Sequence, residues 1–182
     1  MPFTVLQENN GTILLKSQTF HDSRGFFEET YKKSDFQKIG IDVDFVQDNH
    51  SFSKKGVVRA LHYQLPPFAQ GKLVQVISGE IIDIAVDLRK NSPTFKQHTA
   101  VKLSGDNNYL FYIPAGFGHG FMALSDNVHL LYKCTAEYNK EYERGIIWND
   151  PELNLPWDKN IIPIISEKDL QLPMLKNAEV FE

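Results

Sequence analysis

Short runs of alternating apolar and polar residues, cut by turn signals, dominate this chain and narrow what it can fold into. The clearest is "IIDIAVDLR" (81–89), where Ile82, Ile84, Val86 and Leu88 fall on one face and Asp83, Ala85 and Asp87 on the other, as a strand of period two requires. "LVQVISGE", "TAVKLSG", "NYLFYIP" and "HLLYKCTAEY" have similar length and are rich in β-branched and aromatic residues, which suit a pleated, half-buried surface. Between them stand "SGE", "NSPT", "SGDNN", "PAGFG" and "SDN", all turn formers. Strands recurring every 8–12 residues or so, with no long segment of helical period, predict an all-β sandwich or barrel. Two short helices are expected: "SDFQKIG", with Ser34 and Gln37 as a capping box and Gly40 as its stop, and "SEKDL", with Ser166 and Asp169 in the same relation. The tail "LQLPMLKNAEVFE" is expected to cover the surface or drape on a partner.

With 182 residues, the chain is long enough for a real core, and one domain over 1–182 is expected. The net charge of -4 offers no basic face for nucleic acid. A single cysteine, Cys134, forms no internal disulfide and gives no sign of an oxidising compartment. No apolar run approaches the ~18 residues of a membrane span, and the first residues lack the basic and apolar regions of a secretory leader. A cytoplasmic protein without a membrane partner is expected.

Three stretches carry chemistry. In "IPAGFGHGF" (113–121), Pro114, Gly116 and His119 form P-x-G-x-x-H. The Pro and Gly shape a turn, and the next strand presents the histidine. The pattern resembles the second motif of the cupins, jelly-roll barrels that often hold a metal; the other reading is a turn with a solvent-facing histidine. A cupin metal site needs more ligands, commonly H-x-H on an earlier strand, whose residues i and i+2 share a face. Here that stretch reads His62-Tyr63-Gln64. Glutamine is a poor ligand, and two histidines fall short of a three-ligand site, so no metal is expected.

The second stretch is "VVRALHYQLPPFAQGKLVQV" (57–76), two strands bearing Arg59, His62, Gln64 and Lys72. His62 shares a face with Ala60 and Gln64, where a neutral imidazole could act as a base or merely pack. Arg59 has the opposite parity, so both line one pocket only if the strand bulges or Arg59 sits at the rim. Lys72 shares parity with Val74 and Val76, which makes it either an inward cation or a solvated lysine. In the third, "LYKCTAEYNKEYERGIIWNDP" (131–151), Tyr132 and Tyr138 share parity if the strand is continuous. A phenol can be a general acid, and an aromatic ring can stack on a base.

Taken together and in order, "DSRGFFEE" (22–29), "FVQDNHSFSKKGVVRALHYQ" (45–64), "QGKLVQV" (70–76), "DIAVDLRKNSPTF" (83–95), "YIPAGFGHGF" (112–121), "LLYKCTAEY" (130–138), "WNDPEL" (148–153) and "SEKD" (166–169) resemble the dTDP-4-dehydrorhamnose 3,5-epimerase family. The resemblance implies a cupin-like double-stranded β-helix, or jelly roll, with a few short helices, without metal or cofactor, working as a homodimer on a dTDP-sugar. The implied reaction converts dTDP-4-dehydro-6-deoxy-D-glucose to dTDP-4-dehydro-L-rhamnose, in the route to dTDP-L-rhamnose. Carried over by motif, His62 is the base, Asp169 its carboxylate partner and Tyr132 the acid on the other sugar face. Lys72 and His119 lie near the 4-keto group. Arg24, Phe27 and Glu29 are nucleotide contacts donated across the dimer. Gln47, Asn49 and Arg59 bind substrate, Arg59 near the diphosphate. Tyr138 stacks on thymine, and Glu143 and Lys168 complete the pocket.

The chain departs from the family pattern at Ala60, where glycine is usual, and at Gln75, where arginine is usual. Three other readings compete: a single-position epimerase of a related 4-keto-6-deoxy sugar, a metal-dependent cupin such as a dioxygenase, and a non-catalytic nucleotide-sugar binding module.

Overall fold

The protein's structure, a computed structural model, describes residues 2–182. Among the described residues there are thirteen strands: β1 (Phe3–Asn9), β2 (Thr12–Ser17), β3 (Thr19–Asp22), β4 (Gly25–Glu28), β5 (Gln47–Ser53), β6 (Val58–Gln64), β7 (Lys72–Ser78), β8 (Glu80–Asp87), β9 (His98–Ser104), β10 (Tyr109–Ile113), β11 (Phe117–Ala123), β12 (Val128–Cys134) and β13 (Glu143–Gly145). They form a six-stranded sheet in the order β1-β2-β10-β7-β12-β5, a five-stranded sheet in the order β13-β6-β11-β8-β9, and the separate hairpin β3-β4. Every strand pair is antiparallel. The all-β architecture is the one that the alternation predicts, and its jelly-roll form is the one that the family resemblance implies.

The central strands are apolar on both faces because each sheet is covered on its inner face and over part of its outer one. Between the sheets lie Val74, Val76, Phe111, Ile113 and Leu130 from one, and Ile81, Ala85, Val101, Phe117 and Phe121 from the other. The outer face of the five-stranded sheet, with Ile84, Val86 and Leu88, is buried under Leu153, Trp157, Leu175, Val180 and Phe181. The C-terminal tail is therefore part of the core. Leu15, Leu73, Leu110 and Tyr112 on the outer face of the six-stranded sheet pack against Phe3, Phe36 and Ile41. Burial on both sides puts Asp83 and Asp87, the polar face of "IIDIAVDLR", inside the protein at 0% exposure.

Two α-helices and a 3-10 turn complete the chain. The first helix, α1 (Lys33–Lys38), has Lys32 at its N-cap with no side-chain cap. The expected box from Ser34 is not made: the helix starts one residue before Ser34, which puts that residue inside the first turn instead of ahead of it. Gly40, with φ +85°, ends the helix as expected. In α2 (Glu167–Leu170) Ser166 is the N-cap, and its Oγ accepts from the Asp169 N–H. Among the described residues no helix is long and apolar enough to cross a membrane.

Asp87 locks the turn that presents His119. Its carboxylate takes hydrogen bonds from Arg89 Nε (2.9 Å) and Nη2 (2.7 Å), Ser92 and Thr94. Burial alone would raise its pKa, but these donors hold it down at about 2. The anchored Arg89 stem lies 2.7 Å from where a Cβ on Gly116 would be, and Gly116 has φ +101°. Only glycine fits that position in P-x-G-x-x-H.

Candidate active site

One end of the space between the sheets is filled by the apolar core; the other opens as a cavity of about 490 Å³, within the size range of small-molecule sites. His62 and His119 reach it from the five-stranded sheet, paired directly across β6 and β11. Lys72, Asn49 and Tyr132 reach it from the six-stranded sheet, where Asn49 pairs with Tyr132 and Lys72 with Cys134. Packed sheets stand about 10 Å apart, which leaves room for one sugar-sized ring between the histidines and the tyrosine.

The parity conflict of Arg59 and His62 is resolved by a β-bulge. On β11 a single residue, Gly120, separates His119 from Phe121. Their partners on β6, His62 and Arg59, are separated by two, Ala60 and Leu61. The extra residue turns Arg59 to the same cavity as His62. A Cβ on Gly120 would lie 2.4 Å from the Ala60 methyl and 2.8 Å from Arg59 O. Gly120 therefore makes room for both the bulge and Ala60, and Ala60 is accommodated without loss of the site. Gly120→Ala is expected to destabilise the fold by about 1–3 kcal/mol through overpacking against backbone, seen as a lower urea midpoint. An unchanged midpoint would show that the bulge does not need the glycine.

His62 Nε2 lies 3.2 Å from both carboxylate oxygens of Asp169, 107 residues further along the chain. With Nε2–H donated to that carboxylate, Nδ1 carries the lone pair; it has no hydrogen-bond partner, and Glu143 Oε1 is 4.0 Å away. Burial pushes the Asp169 pKa up, but His62, Ser166 and the Ala60 backbone donate to it and hold it below the ordinary carboxylate value. The lowered value means that Asp169 is a full anion at neutral pH. The pair is lost only as pH falls through that lowered pKa.

A second His–Asp pair, not foreseen from the sequence, forms the floor. His119 is buried, and its Nε2 lies 2.7 Å from Asp83 Oδ1, while Asp83 Oδ2 has no partner. Burial pulls the His119 pKa down against the opposing pull of Asp83. Lys72 Nζ is 3.5 Å from the His62 carbonyl; burial lowers its pKa, and Cys134, Asp83 and Glu143 act against that. Tyr132 is half-buried, and its phenol is pushed up by desolvation, with Arg59 pulling the other way. This floor concentrates hydrogen-bonding groups where an oxyanion could form.

Gln64, at the position of the missing histidine, has a structural task. Its amide donates to Phe68 O (2.7 Å) and Glu137 O (3.1 Å), and its oxygen accepts from the Asn139 N–H. These bonds fix the loop after β12, where Tyr138 sits. The strand ends at Cys134, so shared strand parity does not relate Tyr132 to Tyr138; the loop brings Tyr138 to the mouth instead. There its N–H donates to Gln47 Oε1 (2.7 Å) and its OH to Glu143 Oε2 (2.8 Å), which also accepts from Lys168. Among the described residues no group of three or more His, Cys, Asp and Glu side chains is placed to hold a metal ion.

Arg59, Gln47, Asn49, Lys72, His119, Tyr138, Glu143 and Lys168 thus line one cavity with His62, Tyr132 and Asp169. Arg24, Phe27 and Glu29 do not: they belong to the β3–β4 hairpin and the residue after it, where Arg24 and Phe27 are largely exposed. Ser51, Gln70, Cys134 and Ser166 also line the cavity. For Ser51 the available signal was its parity with Gln47 and Asn49.

The model of the family described as dTDP-4-dehydrorhamnose 3,5-epimerase matches residues 7–177. An enzyme of that name from Methanothermobacter thermautotrophicus is 48% identical over 174 residues, 94% of each chain. The crystal structure of the Sulfolobus tokodaii 3,5-epimerase superposes with a TM-score of 0.92 at 46% identity, covering 100% of both chains. The Legionella pneumophila enzyme, crystallised with dTDP-4-keto-L-rhamnose, gives 0.91 at 41% identity, covering 96% of this chain and 94% of that one. With the family model spanning nearly the whole chain and relatives this similar over their full length, the chain belongs to the dTDP-4-dehydrorhamnose 3,5-epimerase family of isomerases.

Proposed function

We propose that the cavity performs the family's reaction, inversion at C3 and C5 of dTDP-4-dehydro-6-deoxy-D-glucose, with His62 as base and Tyr132 as acid. The observation that carries this assignment is their origin on opposite sheets, with the cavity between them. Both reacting carbons flank the 4-ketone. His62 Nδ1 takes the C3 proton, the C–H electrons move into the C3–C4 double bond, and the former carbonyl oxygen becomes an enolate. Lys72, which lines the same cavity, would supply that oxygen with charge and a hydrogen-bond donor, and His119, held by Asp83, would form the floor beside it. Collapse of the enolate takes a proton from Tyr132 on the other face, which inverts C3. After His62 releases its proton to solvent and Tyr132 regains one, the same sequence serves C5. Every electron pair returns to carbon, so the chemistry calls for no redox cofactor.

Arg59 suits the diphosphate, because its planar fork matches phosphate oxygens. It is now held by Phe52 O (3.2 Å) and Ser53 Oγ (3.4 Å), contacts that leave part of its donor set free. Tyr138, at the mouth beside Glu143 and Lys168, would stack on thymine. The protein is proposed to work as a cytoplasmic homodimer. The β3–β4 hairpin exposes Phe20, Phe26 and Phe27, and the outer face of the six-stranded sheet exposes Phe52, Ile77 and Leu131; both supply apolar surface for a second copy. Arg24, Phe27 and Glu29 would then reach the partner's cavity.

In deuterated water, turnover of dTDP-4-keto-6-deoxyglucose is expected to place deuterium at both C3 and C5, read by NMR. Exchange at one carbon alone would favour a single-position epimerase, and no exchange would refute the enolate mechanism.

A further inference from the structure

We propose that Ser51 is a substrate-binding residue whose hydroxyl donates to an oxygen of the diphosphate beside Arg59. The proposal rests on the nucleotide-sugar reading of the cavity and adds a group that neither the motifs nor the family resemblance singles out. Strand β5 turns Gln47, Asn49, Ser51 and Ser53 to the inner side of the six-stranded sheet. Three of them are engaged. Gln47 accepts from the Tyr138 N–H and donates to Asn49 Oδ1. Asn49 donates to Cys134 Sγ at 3.5 Å, and Ser53 Oγ accepts from Arg59 Nε. Ser51 Oγ alone has no partner, although it is shut off from water and its residue lines the cavity. Native proteins leave few buried hydroxyls unpaired, and each one calls for an explanation.

The register places this hydroxyl. Asn49 stands opposite Tyr132, Ser51 opposite Leu130 and Ser53 opposite Val128. Residues two apart on a strand are separated by roughly 7 Å, so Ser51 occupies the step between the level of Tyr132 and the level where Ser53 holds Arg59. A substrate with C3 and C5 at Tyr132 carries its diphosphate on C1, across the ring from the ketone. The first anionic oxygens beyond the ring then fall on the Ser51 step, next to Arg59. A neutral donor suits the place: it forms a charge-assisted bond with the anion without adding charge next to the Tyr132 phenol.

Ser51→Ala and Ser51→Cys, the second being close to serine in size but a weak donor, test this by calorimetry with dTDP and with thymidine, alongside thermal unfolding. In both variants dTDP affinity and kcat/KM are expected to fall about tenfold, with thymidine affinity within twofold of the unaltered protein. The unliganded Ser51→Ala protein is expected to melt at or above the temperature of the unaltered protein, because alanine removes a buried hydroxyl that nothing satisfies. Unchanged dTDP affinity would overturn the proposal, including when KM alone rises, since the hydroxyl would then face the sugar. A lower melting temperature with equal losses for dTDP and thymidine would make Ser51 structural and overturn it as well. Failure of the unaltered protein to bind dTDP would overturn the nucleotide-sugar reading itself.

Discussion

In the His62→Ala protein, deuterium exchange at C3 and C5 is expected to fall about a thousandfold, while dTDP still binds within about threefold. The magnitude is that of a positioned general base. The split follows from where the imidazole sits. Its Nε2 is taken up by Asp169, and its Nδ1 has no protein partner, on a residue that lines the cavity. It is thus free to take a proton and is not committed to holding a ligand. Arg59, Tyr138 and Lys168, the groups suited to the nucleotide, do not depend on it. Alanine also leaves Asp169 supported, because Ser166 and the Ala60 backbone still donate to its carboxylate. Circular dichroism should therefore show a folded protein. Exchange within about tenfold of the unaltered protein would remove His62 as the base. Loss of dTDP binding in step with exchange would mean that the ring holds substrate.

Much of this site was legible before any coordinates. Period two put Lys72 on the face of Val74 and Val76 without saying whether that face was inward; it lines the cavity, while Gln75, of opposite parity, donates its amide to Glu28 Oε1 at the root of the hairpin. Arg59 was left between a bulge and the rim because a bulge is a relation between two strands: the additional residue on β6 is visible only against Gly120 on β11. Asp83 escaped for a related reason. Alternation says which residues share a face, not what covers that face, and a carboxylate on the polar side of a strand reads as solvated until the second sheet closes over it. The pairing of Asp169 with His62 came from family resemblance alone, since no local pattern brings together residues 107 positions apart. Ser34 lost its cap because α1 began one residue earlier, a shift to which local propensity is blind.

Tyr132→Phe should separate proton removal from inversion. Conversion to product is expected to fall by two to three orders of magnitude or so, the share of a positioned general acid, while deuterium still enters at C3 with its configuration retained. In the proposed mechanism the base side is intact in this variant: His62 would take the C3 proton, and Lys72 would still meet the enolate oxygen. The proton on His62 then trades with deuterated solvent. With no donor on the opposite face, it returns to the side from which it came. The phenol is fit for the missing step because burial raises its pKa, so at neutral pH it is protonated and able to donate. Phenylalanine keeps the ring and its packing against the inter-sheet core, which confines the change to one hydroxyl. NMR of recovered substrate decides the matter: a C3 proton resonance that fades without a change of configuration, far faster than product accumulates, fits Tyr132 as the acid. Product formed with inversion at close to the original rate would assign the proton delivery to another group. Equal loss of exchange and conversion would mean that Tyr132 also takes part in forming the enolate.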